Sequence, residues 1–258
     1  FYCLEIKFNL EEQVVKRPVI YAHRGASAQS PENTMAAFVK AVELGSGGIE
    51  LDVRMTKDGE VVVIHDEAID RTSNGTGKVK ELTLSELTRF DFGYWFSQEF
   101  SGEKIPTLEQ VMEILSKWNG SLNIEIKAND IGIESSVIEL IDKYGMGKRV
   151  IVSSFNHYIL VNIRRIDDSI KTGALFMETL YRPWEYARSI GANAIHPFYR
   201  AIDTEIIKEC IANDIDVNAF TVDRSEDIKM LAEAKISGII TNMPDAAMKI
   251  VNAITNVL

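Results

Sequence analysis

Glu50, Asp52 and His65 are spaced so that one small patch could hold two carboxylates and an imidazole. Residues 48–66 read Gly-Ile-Glu-Leu-Asp-Val-Arg-Met-Thr-Lys-Asp-Gly-Glu-Val-Val-Val-Ile-His-Asp. Asp-Gly between two β-branched runs signals a hairpin turning at Lys57-Asp58-Gly59. On its first strand Glu50 and Asp52 are two apart and share a face, while Ile49, Leu51 and Val53 take the other face as core. A turn centred on Lys57 and Asp58 would set His65 opposite Glu50. Like charges held this close call for compensation, and a divalent cation supplies it directly. A solvated strand edge with alternating charges is the plainer account of the pair.

The other strand ends argue against that account. His23 and Arg24 follow the apolar strand at 19–22, and Glu125 and Lys127 repeat the same-face pattern on a strand at 122–127. These charges sit in strands rich in Ile, Leu and Val, where an unpaired charge is expensive. Three carboxylates with no cysteine nearby suit a hard cation, Mg²⁺ or Ca²⁺. Arginine and lysine beside them suit an anion with geometry to read, such as a phosphate. Two histidines free of the metal suit a base and an acid on opposite sides of a phosphorus centre. Together the parts describe phosphodiester cleavage, with Arg24 on a phosphate oxygen and two imidazoles moving protons.

Other candidates are weaker. His157 falls in the first turn of a helix and reads as a surface residue, whereas His196 ends a strand and is placed to line a pocket. The aromatic run at 90–100 reads as local core rather than a substrate cage. Cys210 lies on a helical apolar stripe as a buried thiol, and with only Cys3 as a second cysteine there is neither disulfide framework nor thiolate metal site.

The elements that must bring these residues together alternate strand and helix, which indicates a parallel sheet. Strands begin near 19, 48, 122, 150, 171, 192, 216 and 238. Helices follow, among them one over 35–42 with Asn33 as N-cap and Gly45 just past its end, one opened by a Thr107–Gln110 capping box, and others near 157–165, 183–190, 204–212 and 226–234. Eight β-α units in 258 residues suit a TIM (β/α)8 barrel, an α/β fold whose strand ends ring one mouth. The long gap before the strand at 122 reads as a small inserted subdomain, residues 66–105, after the second strand and its hairpin. The returning strand at 61–64 counts as an arm, not a barrel strand. A single domain over 1–258 is the expectation.

The net charge of −10 argues against a broad nucleic-acid-binding face, though not against an anionic substrate at a local site. No apolar run approaches the ~20 residues of a membrane span. The chain begins at Phe1 without a methionine, so the lack of a signal peptide carries little weight; a cytoplasmic location is expected and a homodimer is left open.

These residues resemble the glycerophosphodiester phosphodiesterases, relatives of the phosphatidylinositol-specific phospholipases C. The resemblance rests on Ala22-His23-Arg24-Gly25, Pro31-Glu32-Asn33-Thr34, Ile49 to Val53, Thr56 to Gly59, Val63-Ile64-His65-Asp66, Ile105 to Leu108, Asn123 to Lys127, Ser153-Ser154-Phe155 and Gly238 to Thr241, in the family's order. It implies a TIM barrel, Glu50, Asp52 and Glu125 as ligands of one divalent cation, and His23 and His65 as the acid/base pair. Arg24 and Lys127 would contact the phosphate, beside an aromatic wall at Phe155 and Phe220. The implied reaction is hydrolysis of a small glycerophosphodiester to sn-glycerol 3-phosphate and an alcohol, the glycerol 2-hydroxyl attacking first to give a cyclic phosphate that water opens. The late strand departs from the family pattern at Phe220, where it usually carries Trp, so that an aromatic wall survives, and two further positions depart from it. Asp223 stands where the late strand usually carries Asn, and Asn242 where the last motif usually carries Asp; neither is expected to touch the metal or acid/base set. Competing readings are a relative acting on lysophospholipids, a phospholipase of the inositol type, and a barrel that binds glycerophosphodiesters without cleaving them.

Overall fold

The computed structural model describes residues 17–127 and 132–255; Cys3 and both ends of the expected 1–258 span lie outside them. The strands are β1 (Val19–His23), β2 (Gly48–Met55), β3 (Val61–Val63), β4 (Ser121–Ile126), β5 (Val150–Ser154), β6 (Lys171–Phe176), β7 (Ala194–Pro197), β8 (Asp216–Ala219) and β9 (Gly238–Thr241). The helices are α1 (Met35–Glu43), α2 (Leu84–Leu87), α3 (Leu108–Leu115), α4 (Ile133–Lys143), α5 (His157–Ile166), α6 (Pro183–Ser189), α7 (Thr204–Ala212), α8 (Ser225–Glu233) and α9 (Pro244–Thr255). The eight strands other than β3 pair in parallel in chain order, and β9 returns to β1 to close the barrel. Among the strands β3 pairs only with β2, antiparallel, as the arm expected from the hairpin, and its Val62 also bridges Thr107. Among the described residues no helix is long and apolar enough to cross a membrane.

Closure sends alternate side chains inward and outward. Along β2, Ile49, Leu51 and Val53 pack outward into a core with Phe38, Val111 and Leu115, while Glu50 and Asp52 take the intervening interior positions and are buried. A second core joins β7, β8 and β9 to α7, α8 and α9 through residues such as Ile195, Ile207, Val217, Leu231 and Val251. The segment 66–105 packs around Ile69, Val79, Leu87, Phe92 and Ile105 against Val62 and Ile64. Of its aromatic run, Phe92 is buried and Phe90 packs beside it, but Tyr94 and Trp95 stay exposed, so only part of that run is core.

Two local expectations are corrected. The hairpin loop is Lys57 to Gly59, with Thr56 N–H donating to Glu60 O at 2.9 Å and Gly59 in the left-handed region at φ 87°. A three-residue loop ending in a left-handed residue shifts the register by one against a two-residue turn. Val53 therefore faces Val63, and Ile64 N–H donates to Asp52 O at 2.9 Å, so His65 is not opposite Glu50. The N-cap of α1 is Thr34, whose Oγ1 accepts from Ala37 N–H, and not Asn33, which sits at φ 56° with its amide on Asp52. The apolar stripe that the sequence suggests for α1, Met35, Phe38, Val39 and Val42, is only partly inward: Ala37, Phe38 and Ala41 are buried and Val39 is exposed. Gly45 ends the helix at φ 80° as expected, and the Thr107–Gln110 box is present. α9 has no counterpart among the expected elements, although Pro244 at its start is a sign of the same kind as Pro183 at the start of α6.

Candidate active site

The C-terminal end of β1 carries His23, and the chain then turns back over two left-handed residues, Arg24 at φ 56° and Gly25 at φ 81°. Gly25 is pressed onto α1, where a Cβ would lie 2.6 Å from Ala37 Cβ. A non-glycine residue in this region stores on the order of 1–3 kcal/mol of strain, tolerated where surrounding contacts over-determine it. Here the Arg24 N–H donates to Glu50 Oε2 at 2.9 Å and its Nη1 to Glu32 Oε1 at 2.7 Å. Its Nε is buried without a hydrogen-bond acceptor, 3.5 Å from Asp52 Oδ2.

Glu50 and Asp52 from β2 and Glu125 from β4 bring one oxygen each to within 4.8 Å of one another, all three residues buried. The Asp52↔Glu125 register of β2 and β4 sets this. Burial and the charges of Asp52 and Glu125 hold Glu50 well above the usual carboxylate range. Burial and Asp52 push Glu125 to about 7, against the pull of Lys127. Asp52 is low: burial would raise it, but Lys127, Arg24, His65 and the Asn33 amide outweigh burial. Its Oδ1 is buried and has no hydrogen-bond partner, with Lys127 Nζ 3.6 Å away. An orphaned carboxylate oxygen among three mutually repelling acids is what a cation would satisfy, and an all-oxygen set fits a hard one. These residues form a group that can hold a metal ion.

His65 follows β3, with its backbone oxygen taken by Arg54 Nε at 2.9 Å. It comes within electrostatic reach of Asp52, Arg24 and Lys127. Its Nδ1 meets Asp66 Oδ1 at 2.6 Å, so the carboxylate accepts the Nδ1 proton and leaves Nε2 free. Burial lowers His65, Arg24 and Lys127 add to this, and Asp52 and Asp66 oppose it. Lys127 is 2.6 Å from Glu125 Oε1 and 5.7 Å from the Phe155 ring centroid. Phe155, half exposed, meets Phe220 edge to face at 5.8 Å, and Phe198 joins them at 6.5 Å from Phe220. Every residue expected at the site is therefore at or beside one mouth.

The two other histidines are not part of it. His196 is fully buried inside the barrel, its Nε2 accepting from Asn218 Nδ2 at 2.9 Å, and burial drives it down to about 3. It is a neutral core residue and does not line a pocket. His157 is no free surface group: its ring bonds Leu175 O at 2.8 Å and Tyr186 Oη at 2.6 Å, fastening α5 to β6 and α6. Cys210 is buried, its thiol raised to about 12.

Asn242, expected to stay clear of the acid/base pair, lies against His23. Its Oδ1 lies 2.7 Å from His23 Nδ1, while its Nδ2 donates to Asp223 Oδ2 at 2.6 Å and its N–H to Asp223 Oδ1 at 2.9 Å. Asp223 thus fixes which end of the amide faces His23, and His23 holds its proton on Nδ1 with Nε2 directed toward Glu50 Oε2, 3.9 Å away. The departures at Asp223 and Asn242 are one reciprocal exchange of amide and carboxylate, and Asn242 contacts His23. Burial, then Arg24, pulls His23 down to about 4, and a neutral amide opposes that less than a carboxylate would. The double exchange Asp223→Asn with Asn242→Asp puts a carboxylate on His23 and raises its pKa. A raised pKa moves the acidic limb of kcat/KM to higher pH. A pH–rate profile with an unmoved limb would remove His23 from that ionisation.

The sequence model of the glycerophosphoryl diester phosphodiesterase family matches residues 23–246. A glycerophosphodiester phosphodiesterase of Caldanaerobacter subterraneus is 44% identical over 238 residues, covering 91% of this chain and 98% of that protein. Among solved structures, an Oleispira antarctica phosphodiesterase in complex with the product sn-glycerol-3-phosphate superposes with a TM-score of 0.86 at 27% identity, over 92% of this chain and 97% of that one. A glycerophosphodiester phosphodiesterase from Agrobacterium tumefaciens gives 0.80 at 28% identity, over 90% and 99%. With the matched residues running from His23 past Asn242, this chain belongs to the glycerophosphoryl diester phosphodiesterase family.

Proposed function

We propose that this phosphodiesterase hydrolyses glycerophosphodiesters to sn-glycerol 3-phosphate and an alcohol, with Mg²⁺ or Ca²⁺ on Glu50, Asp52 and Glu125 and with His23 and His65 moving the protons. One observation carries this reading. Two imidazoles stand by a three-carboxylate group, each held through Nδ1 by a side chain behind it, with His23 Nε2 3.9 Å from Glu50 Oε2 and His65 within electrostatic reach of Asp52. The sn-glycerol 3-phosphate bound to the Oleispira antarctica relative supports the product assignment.

The residues divide the work as follows. When bound, a divalent cation supplies positive charge that offsets the carboxylates and the charge growing on the phosphate. Arg24 offers the buried Nε that lacks an acceptor, and Lys127 has donors beyond the one on Glu125, so both take phosphate oxygens. His23, pulled to about 4 and backed by an amide, is neutral at physiological pH and takes the proton of the glycerol 2-hydroxyl. His65, backed by the Asp66 carboxylate, carries a proton more readily and gives it to the leaving alcohol. The roles reverse when water opens the cyclic phosphate. The Phe155, Phe198 and Phe220 wall faces the leaving group and suits the quaternary ammonium of a choline alcohol through cation–π contact.

The test is coupled detection of glycerol 3-phosphate released from glycerophosphocholine in the presence of Mg²⁺, Ca²⁺ or Mn²⁺. Release establishes the reaction; binding of glycerophosphocholine without release in any of the three would turn the barrel into a binding module.

A further inference from the structure

We infer that Arg71, from the segment between the hairpin and α3, is a positioning residue that orients His65 and Arg24 at once. The inference rests on the functional reading above, and it concerns a residue outside the reacting centre. Arg71 Nε donates to Asp66 Oδ2 at 2.6 Å and its Nη2 to Asp66 Oδ1 at 3.2 Å. Its Nη1 donates to Glu32 Oε2 at 2.7 Å, and Nη2 also to Glu32 Oε1 at 2.8 Å. One guanidinium therefore grips two carboxylates along two of its edges. Only an arginine has the planar fork for that; a lysine ammonium is a point charge.

Each carboxylate hands the constraint on. Asp66 Oδ1 is the oxygen that holds His65 Nδ1, and Glu32 Oε1 is the oxygen that holds Arg24 Nη1. The result is a line of alternating partners, His65, Asp66, Arg71, Glu32 and Arg24, running from the proposed acid to the proposed phosphate grip. The Arg71 hydrogen bond is the leading reason Asp66 lies far below the usual carboxylate range. Arg71 and Arg24 together hold Glu32 low against its burial. Exposed ion pairs usually contribute little, but bidentate geometry within a network is the exception. Without Arg71, Asp66 loses the group that fixes its plane, and Glu32 turns its whole charge on Arg24, in competition with the phosphate. The first effect falls on kcat and the second on KM.

The test compares Arg71→Met, Arg71→Lys, Asp66→Asn and the Arg71→Met/Asp66→Asn double variant on glycerophosphocholine with saturating Mg²⁺, together with thermal unfolding and a His65→Ala control. Arg71→Met is expected to lower kcat/KM by about 10- to 100-fold, shared between a lower kcat and a higher KM, as displacement of reacting groups by about 1 Å does. Arg71→Lys should recover part of the loss by reaching one carboxylate. In the Asp66→Asn background the further loss in kcat from Arg71→Met should fall below about threefold, because coupled groups are not additive. A purely structural clasp would lower the melting temperature and leave kcat and KM unchanged, which would overturn the inference. An undiminished kcat loss in the Asp66→Asn background would overturn it as well. The His65→Ala control separates the two levels: if that variant is inactive while Arg71→Met keeps the parent kcat and KM, the positioning role alone falls. If His65→Ala turns over normally, the acid/base reading falls with it.

Discussion

His23→Ala is expected to lower kcat/KM for glycerophosphocholine by about 10²–10⁴-fold, the range contributed by a positioned general acid or base, and His65→Ala by a similar factor. The fold should persist in both. Removing the His23 ring leaves Asn242 Oδ1 still accepting from Ser27 Oγ at 2.9 Å, and Asp223 still holds the rest of that amide. Removing the His65 ring leaves Asp66 on Arg71, and the backbone oxygen of residue 65 still takes Arg54 Nε. Steady-state rates measured beside thermal unfolding separate chemistry from folding. A variant within a few-fold of the parent rate would strike that histidine from the mechanism.

Chelation should have an equally large effect. EDTA is expected to bring turnover to background, and Mg²⁺ or Ca²⁺ to restore it, because the proposed reaction needs a cation on the three buried carboxylates. The sign of the pH dependence follows from the acids themselves. Glu50 and Glu125 are both raised, Glu125 to about 7, so at low pH protons hold the positions a cation needs. Metal affinity, read by titration calorimetry, should therefore increase with pH between about 6 and 8, with protons released on binding. A bound cation also raises the melting temperature by mass action, by the equivalent of about 2.7 kcal/mol at a hundred times its dissociation constant. Glu125→Gln should weaken the metal titration; an unchanged titration would remove Glu125 as a ligand. Turnover that survives EDTA would leave the histidines standing and make the carboxylates a structural feature or a very tight site.

Much of this site was readable from spacing alone. Glu50 with Asp52, and Glu125 with Lys127, stand two apart, and strand geometry then decides the face they share. Where reading failed, the deciding contact lay between chemically equivalent neighbours or across long stretches of chain. Asn33 and Thr34 are both good N-caps; Thr34 takes the role because Asn33 is spent on Asp52, 19 residues on. The hairpin register hung on whether the loop held two residues or three, and Gly59 in the left-handed region settles it at three. His65 reaches the mouth all the same, since past Ile64 it leaves the ladder and is placed by Asp66 and Arg54. Glu32 and Asp66 stood inside matched motifs without showing that Arg71 joins them. Asn242 and His23 are 219 positions apart and become neighbours only because β9 closes on β1.

The exchange at Asp223 and Asn242 constrains how a lineage can move between the two arrangements. Changing Asn242 first would set two carboxylates where an amide N–H now reaches Asp223 Oδ2 at 2.6 Å, a pair that repels unless it takes up a proton. Changing Asp223 first leaves two amides, each able to donate and accept, at the loss of one acceptor and no repulsion. The accessible route therefore runs through an Asn–Asn intermediate. The two positions are epistatic: a residue ordinary at one becomes harmful or harmless according to what already stands at the other.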